Sequence, residues 1–174
     1  LRGKVLNFLS NSDERFSANK ELNDLIDIIG AGTMKDWDES KLRYEKIIVM
    51  TDADVDGSHI ASLLMAFFYQ YMPQLIYGGH LYLSCPPLYK LTYGTESIYV
   101  DTDEELENLK SGKYKNKKVE ISRFKGLGEM MPNQLKETTM SPKTRRLIRV
   151  DLPPKTEEGL EDTEKTKTLV YDLM

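Results

Sequence analysis

Apolar residues recur at two different spacings along this chain, and the change from one to the other marks out its elements. In residues 19–30, NKELNDLIDIIG, Leu22, Leu25, Ile26 and Ile29 follow a helical period, which predicts a helix stopped by Gly30. Residues 31–43, AGTMKDWDESKLR, lack that period and read as a loop. IIVM, residues 47–50, is a short continuous apolar run, the pattern of a central strand buried on both faces. A wide apolar stripe follows from Ser58 to Met72, carried by Ile60, Leu63, Leu64, Phe67, Phe68, Tyr71 and Met72, and predicts a second helix ending just before Pro73. GGHLYLS, residues 78–84, reads as a second strand behind a glycine turn. Pro86-Pro87 breaks it, and LYKLTY continues as a third. The order helix, strand, helix, strand predicts an α/β layer built on a parallel sheet.

After Tyr93 the pattern changes. ESIYVDTDEELENLKSG predicts a strand and a short acidic helix, SGKYKNKKVE a polar basic turn, and VEISRF another strand. Residues 133–149 are helical at the start and basic at the end. No internal repeat occurs. DLPPKTEEGLEDTEKTK, rich in Pro, Glu and Thr, reads as a linker. The expected division is 1–93, 94–150 and 151–174. The chain opens on LRGKVLNFLS without an initiator methionine and stops in the apolar run TLVYDLM, as expected of a piece cut from a longer protein.

Composition narrows the classes. At 40% hydrophobic residues the chain supports a real core. No run of eighteen apolar residues spans a membrane, and no basic-then-apolar signal opens the chain. The single cysteine, Cys85, forms no internal disulfide, which suits a reducing cytoplasm, and its expected role is packing. The net charge of −4 conceals a division. Residues 151–174 alone carry net −4, while residues 113–149 hold eleven Lys/Arg against three Glu. A basic block of that size reopens nucleic-acid binding, with a solvated surface as the plainer alternative.

The densest chemistry is TDADVDGSHI. Asp52, Asp54 and Asp56 follow the end of an apolar strand, where open α/β sheets place ligand sites. If the backbone stays extended, alternation puts the three on one side. Like charges so close are best tolerated around a cation, and hard oxygen donors point to Mg²⁺, with Mn²⁺ or Ca²⁺ as substitutes. The alternative is an acidic turn capping the next helix. An EF-hand is excluded: counting from Asp52, its twelfth position is Leu63 in place of the bidentate Glu. A phosphatase of the haloacid dehalogenase type also opens with an apolar strand and D-x-D. Its pattern wants Thr or Val where Asp56 stands.

TDADVDGSHIASLL, GGHLYLSCPPLYKL and RFKGLGEMMPNQLKETTM, in that order, resemble the B subunit of bacterial type IIA topoisomerases, the family of DNA gyrase and topoisomerase IV. LRGKVLN resembles the stretch after that family's first acidic loop. The stretch ISRFKGLGEMMPNQLKETTM leans toward topoisomerase IV. The resemblance implies a Toprim fold, a Rossmann-like parallel sheet flanked by helices, with a smaller α+β extension. It implies Asp52 and Asp54 as catalytic metal ligands and Asp56 as the third acid. The family's further Glu, in a loop reading like EGDSA, does not occur in these 174 residues and is expected before Leu1. The implied reaction is cleavage and religation of double-stranded DNA by a tyrosine of a partner A subunit, in an A2B2 assembly, in the bacterial cytoplasm. ATP would be bound outside this stretch, which has no Walker-type glycine loop.

The resemblance also singles out Lys4 and Asn7 as DNA contacts, residues that otherwise read as surface. His59, at the start of the second predicted helix, is placed to donate to a phosphate. Lys125, opening KGLGE, is expected near DNA, with Glu129 as a cap. Of Lys143, Arg145 and Arg146, the favoured phosphate contact is Arg145. His80 reads as structural.

Overall fold

The computed structural model describes residues 19–153, 164–166 and 168. In chain order its elements are α1 (Lys20–Ile29), β1 (Ile47–Val49), α2 (Val55–Tyr71), α3 (Pro73–Tyr77), β2 (Leu81–Ser84), β3 (Tyr89–Tyr93), β4 (Glu96–Val100), α4 (Asp103–Ser111), β5 (Glu120–Arg123), α5 (Pro132–Leu135) and β6 (Leu147–Arg149). Contacts divide the chain into two units. Of the described residues, one takes 19–49, 59–83 and those from 149 onward, and the other 50–58 and 84–148. The linker expected at DLPPKTEEGLEDTEKTK falls largely outside the described residues, as does LRGKVLN.

In the first unit, the predicted helix over 19–30 forms as α1. The Asn19 side chain accepts from the Leu22 amide at 3.1 Å, and Gly30 ends the helix in the left-handed region at φ 84°. Leu22 and Ile29 turn inward and are buried. β1 pairs in parallel with β2, Ile47 opposite Leu81 and Val49 opposite Leu83. The core is filled from α2 by Leu64, Phe67 and Phe68, and from α3 by Leu75 and Ile76. Phe67 and Phe68 meet edge to face with centroids 5.2 Å apart. Pro73 ends α2 and also opens α3, where its missing N–H costs nothing. His80 is structural: its Nδ1 lies 2.8 Å from the Glu45 carbonyl oxygen.

In the second unit LYKLTY forms the third strand expected of it. As β3 it is the centre of an antiparallel sheet ordered β4-β3-β5, with Leu91 opposite Ile98 and Ile121. The reason is local. Tyr93 pairs with Glu96 across a tight turn in which Gly94 takes φ 59°, so β3 folds back on its own successor. The boundary expected at residue 93 falls inside this hairpin. The strand and acidic helix read from ESIYVDTDEELENLKSG form as β4 and α4. Thr102 caps α4 by accepting from the Glu105 amide at 3.1 Å. Tyr89, Leu91, Val100, Leu106 and Tyr114 make the core of this unit. Near its end, α5 runs into a π-helical turn, Lys136–Met140, as the helical start of 133–149 anticipates.

The Asn19 cap is separable from the rest of the first unit. Asn19→Ala is expected to lower stability by about 1 kcal/mol, and Asn19→Asp to leave it nearly unchanged, in urea unfolding.

Candidate functional site

Between β1 and α2 the chain makes a sharp turn through the three aspartates. The extended backbone that would align them on one side does not persist. β1 stops at Val49 and α2 starts at Val55, earlier than the Ser58 expected from the apolar stripe. Asp54 explains the early start. Its Oδ1 accepts from the Gly57 amide at 2.7 Å, and its carbonyl accepts from the Ser58 amide at 3.0 Å, the geometry of a helix N-cap. Asp56 therefore lies within the first helical turn. All three carboxylates are exposed and stand at or near a positive helix end, which stabilises them.

Asp52 is held differently. Its Oδ1 accepts from the Leu127 amide at 2.8 Å. Its main chain also lies directly against Gly57, where an added Cβ would meet the Asp52 carbonyl oxygen at 2.0 Å. The glycine of DADVDG is thus required by close backbone approach.

A cleft of about 790 Å³ is lined by Asp54, Val55 and Ser58 together with Leu88, Arg123 and Lys125. Val55 is 86% exposed. Arg123 rests its guanidinium 5.8 Å from the Tyr89 ring, and the Lys125 ammonium enters no ion pair among the described residues. A carboxylate and two cations sharing one cleft suit a phosphodiester approached through a divalent ion.

The donor set fits such an ion in part. Among the described residues no three His, Cys, Asp or Glu stand together as metal ligands. Mg²⁺, however, commonly takes only one or two protein carboxylates and keeps waters. Asp52 and Asp54 are both exposed, and each engages Oδ1 in a hydrogen bond while Oδ2 enters none among the described residues. Neither bond blocks a second donor interaction.

The other candidates scatter. His59 is exposed on α2. Arg145 sits in a turn, its amide donating to the Ser141 carbonyl at 2.9 Å, and does not line the cleft. Arg146 forms an ion pair with Asp101, and Lys143 is exposed. Lys4 and Asn7 lie outside the described residues. Cys85 is partly buried beside Arg146, and burial pushes its thiol up against the opposing pull of that guanidinium. Sequence reasoning missed Arg123, the last residue of β5, which only its place in the cleft marks out. It also missed the Leu127 amide, which no residue letter announces.

Two family matches cover most of the chain. The Toprim domain matches residues 1–85, and the family described as DNA gyrase B subunit, carboxyl terminus, matches residues 116–174. The B subunit of DNA topoisomerase 4 from Caulobacter vibrioides is 58% identical over 95% of this chain and 24% of its own length. The corresponding topoisomerase 4 protein of Rickettsia bellii is 50% identical over 100% of the chain and 25% of its own length. The B subunit of DNA gyrase from Thermotoga maritima is 48% identical over 100% of the chain and 26% of its own length. The chain thus spans about a quarter of the length of the curated relatives it matches. Fold and matches define an α/β protein with a Toprim segment. The chain belongs to the B subunits of the bacterial type IIA topoisomerases. With the aspartates inside the Toprim match, the phosphatase reading is dropped. Among the described residues no helix is long and apolar enough to cross a membrane.

The two roles of Asp54 can be separated. Asn caps helices as well as Asp does, so Asp54→Asn is expected to leave stability within about 0.5 kcal/mol, whereas Asp54→Ala costs about 1 kcal/mol. Thermal or urea unfolding of both variants checks this.

Proposed function

We propose that this chain is the metal-bearing part of a topoisomerase IV B subunit, acting in double-strand DNA cleavage and religation. The observation that carries the reading is the pair Asp52 and Asp54. Both are exposed, each is fixed through one oxygen by a backbone amide, and each leaves the other oxygen for a cation. Mg²⁺ held there would neutralise charge on the reacting phosphate and the leaving 3′ oxygen. Asp56 is the third acid of this site.

In this reading a tyrosine of the A subunit attacks phosphorus and forms a covalent phosphotyrosine link, and the chain's own ten tyrosines are not needed as nucleophiles. Arg123 and Lys125 contribute positive charge to the cleft that Asp54 lines, and bind and orient the DNA backbone there. His59, exposed near the start of α2, Arg145, and Lys4 with Asn7 are proposed as further DNA contacts. The assembly would be A2B2, cytoplasmic and bound to the chromosome, with ATP hydrolysed elsewhere in the full-length protein. Identity of 58% and 50% to two topoisomerase IV proteins supports that assignment. A gyrase reading is supported by the 48% identity to a gyrase protein. Decatenation without ATP-driven negative supercoiling, measured with the cognate A subunit, is the outcome expected of topoisomerase IV. Negative supercoiling would favour gyrase.

The test uses the full-length B subunit with its A subunit. Asp52→Ala and Asp54→Asn are each expected to lower Mg²⁺-dependent DNA cleavage by about 100-fold or more, the scale of losing a transition-state charge stabiliser. Assembly and stability should be retained. Unchanged cleavage in both variants would reduce the aspartates to an acidic helix cap.

A further inference from the structure

We propose that the KGLGE loop, residues 125–129, is a positioning device for Asp52, and that its two glycines have unequal roles. The inference rests on the reading of Asp52 as a metal ligand and adds how that carboxylate is aimed.

Three bonds define the device. The Leu127 amide donates to Asp52 Oδ1 at 2.8 Å. The Glu129 carboxylate reaches back to accept from the Lys125 amide at 2.9 Å, and the Glu129 amide donates to the Gly126 carbonyl at 3.1 Å. The loop is thereby closed on itself, and its amide is presented to the aspartate as a fixed donor. Backbone amides cannot rotate away as side-chain donors do, so Asp52 loses rotamer freedom before any cation arrives.

The glycines differ in what they permit. Gly126 has φ −164° and ψ 170°, extended backbone that any residue adopts. It is therefore not needed for its conformation. A Cβ at that position would lie 2.9 Å from Asp52 Cγ and Oδ1 and 3.1 Å from Oδ2. The space left by the missing side chain is where the carboxylate sits. Around Gly128 a Cβ would meet nothing within 4 Å, and its φ is not in the left-handed range. Gly126→Ala thus displaces a single carboxylate, and Gly128→Ala is its matched control. Glu129 acts through the loop, and so is a positioning residue.

The experiment uses the full-length B subunit, with two readouts. Amide hydrogen exchange in the metal-free protein follows the Leu127 amide. Cleavage with the A subunit gives the Mg²⁺ concentration for half-maximal activity. Gly126→Ala is expected to speed exchange at Leu127 and to raise that Mg²⁺ concentration about 10-fold or more, the usual cost of losing a group that orients a metal ligand. Gly128→Ala should change neither. A purely structural defect would lower the cleavage maximum and leave the Mg²⁺ midpoint in place. Should Gly126→Ala melt early, Glu129→Ala opens the loop without adding an atom and is expected to move both readouts in the same direction. Gly126→Ala indistinguishable from Gly128→Ala, or a lowered maximum at an unshifted midpoint, overturns the inference. Failure of the underlying reading looks different: Asp52→Ala itself would then leave cleavage intact.

Discussion

The hydrogen bond from the Leu127 amide to the Asp52 carboxylate joins residues 75 positions apart, and the candidate site depends on it. An exposed aspartate is normally free to turn between rotamers. Here one oxygen is held by a charge-assisted bond to a backbone donor, and glycines make room for both its parts. Gly57 admits its main chain and Gly126 its carboxylate. Chain segments 50–58 and 84–148, far apart in sequence, are drawn into one unit that carries the aspartates, the cleft and its cations.

Two readings of the acidic turn, helix cap and metal ligand, prove compatible at Asp54. The cap uses Oδ1, and Oδ2 enters no hydrogen bond among the described residues. Capping also fixes where α2 begins and so where Asp56 falls. The basic block divides in a similar way. Arg146 is spent on Asp101, Lys113 on Glu96 at 2.7 Å, and Lys117 lies over the Tyr93 ring at 5.2 Å. Part of the positive charge in residues 113–149 is thus tied to neighbours, which limits what net charge alone says about DNA. The cations that share a cleft with Asp54 are Arg123 and Lys125.

What was legible in the sequence was local. α1 followed from its apolar period and its Gly30 stop, and β4 and α4 from alternation and an acidic first turn. The partner of β3 was not legible, because strand pairing is decided by the Gly94 turn and by a strand, β5, that lies well downstream. The true start of α2 was hidden because the apolar stripe begins after the cap that sets it. Asp52, Asp54 and Asp56 could be marked out as candidates by residue type and spacing, and the pair Asp52 and Asp54 set apart only by the resemblance. The geometry that holds them could not, since one donor is a main-chain amide and the reason for Gly126 is a neighbour 74 positions away in sequence.

Diffraction at the manganese absorption edge from crystals of the full-length B and A subunits with cleaved DNA and Mn²⁺ would test the central claim most directly. The account predicts an anomalous peak in contact with one oxygen each of Asp52 and Asp54, while the Leu127 and Gly57 amides keep their bonds to the other oxygens. A peak at the scissile phosphate that touches neither carboxylate would contradict it.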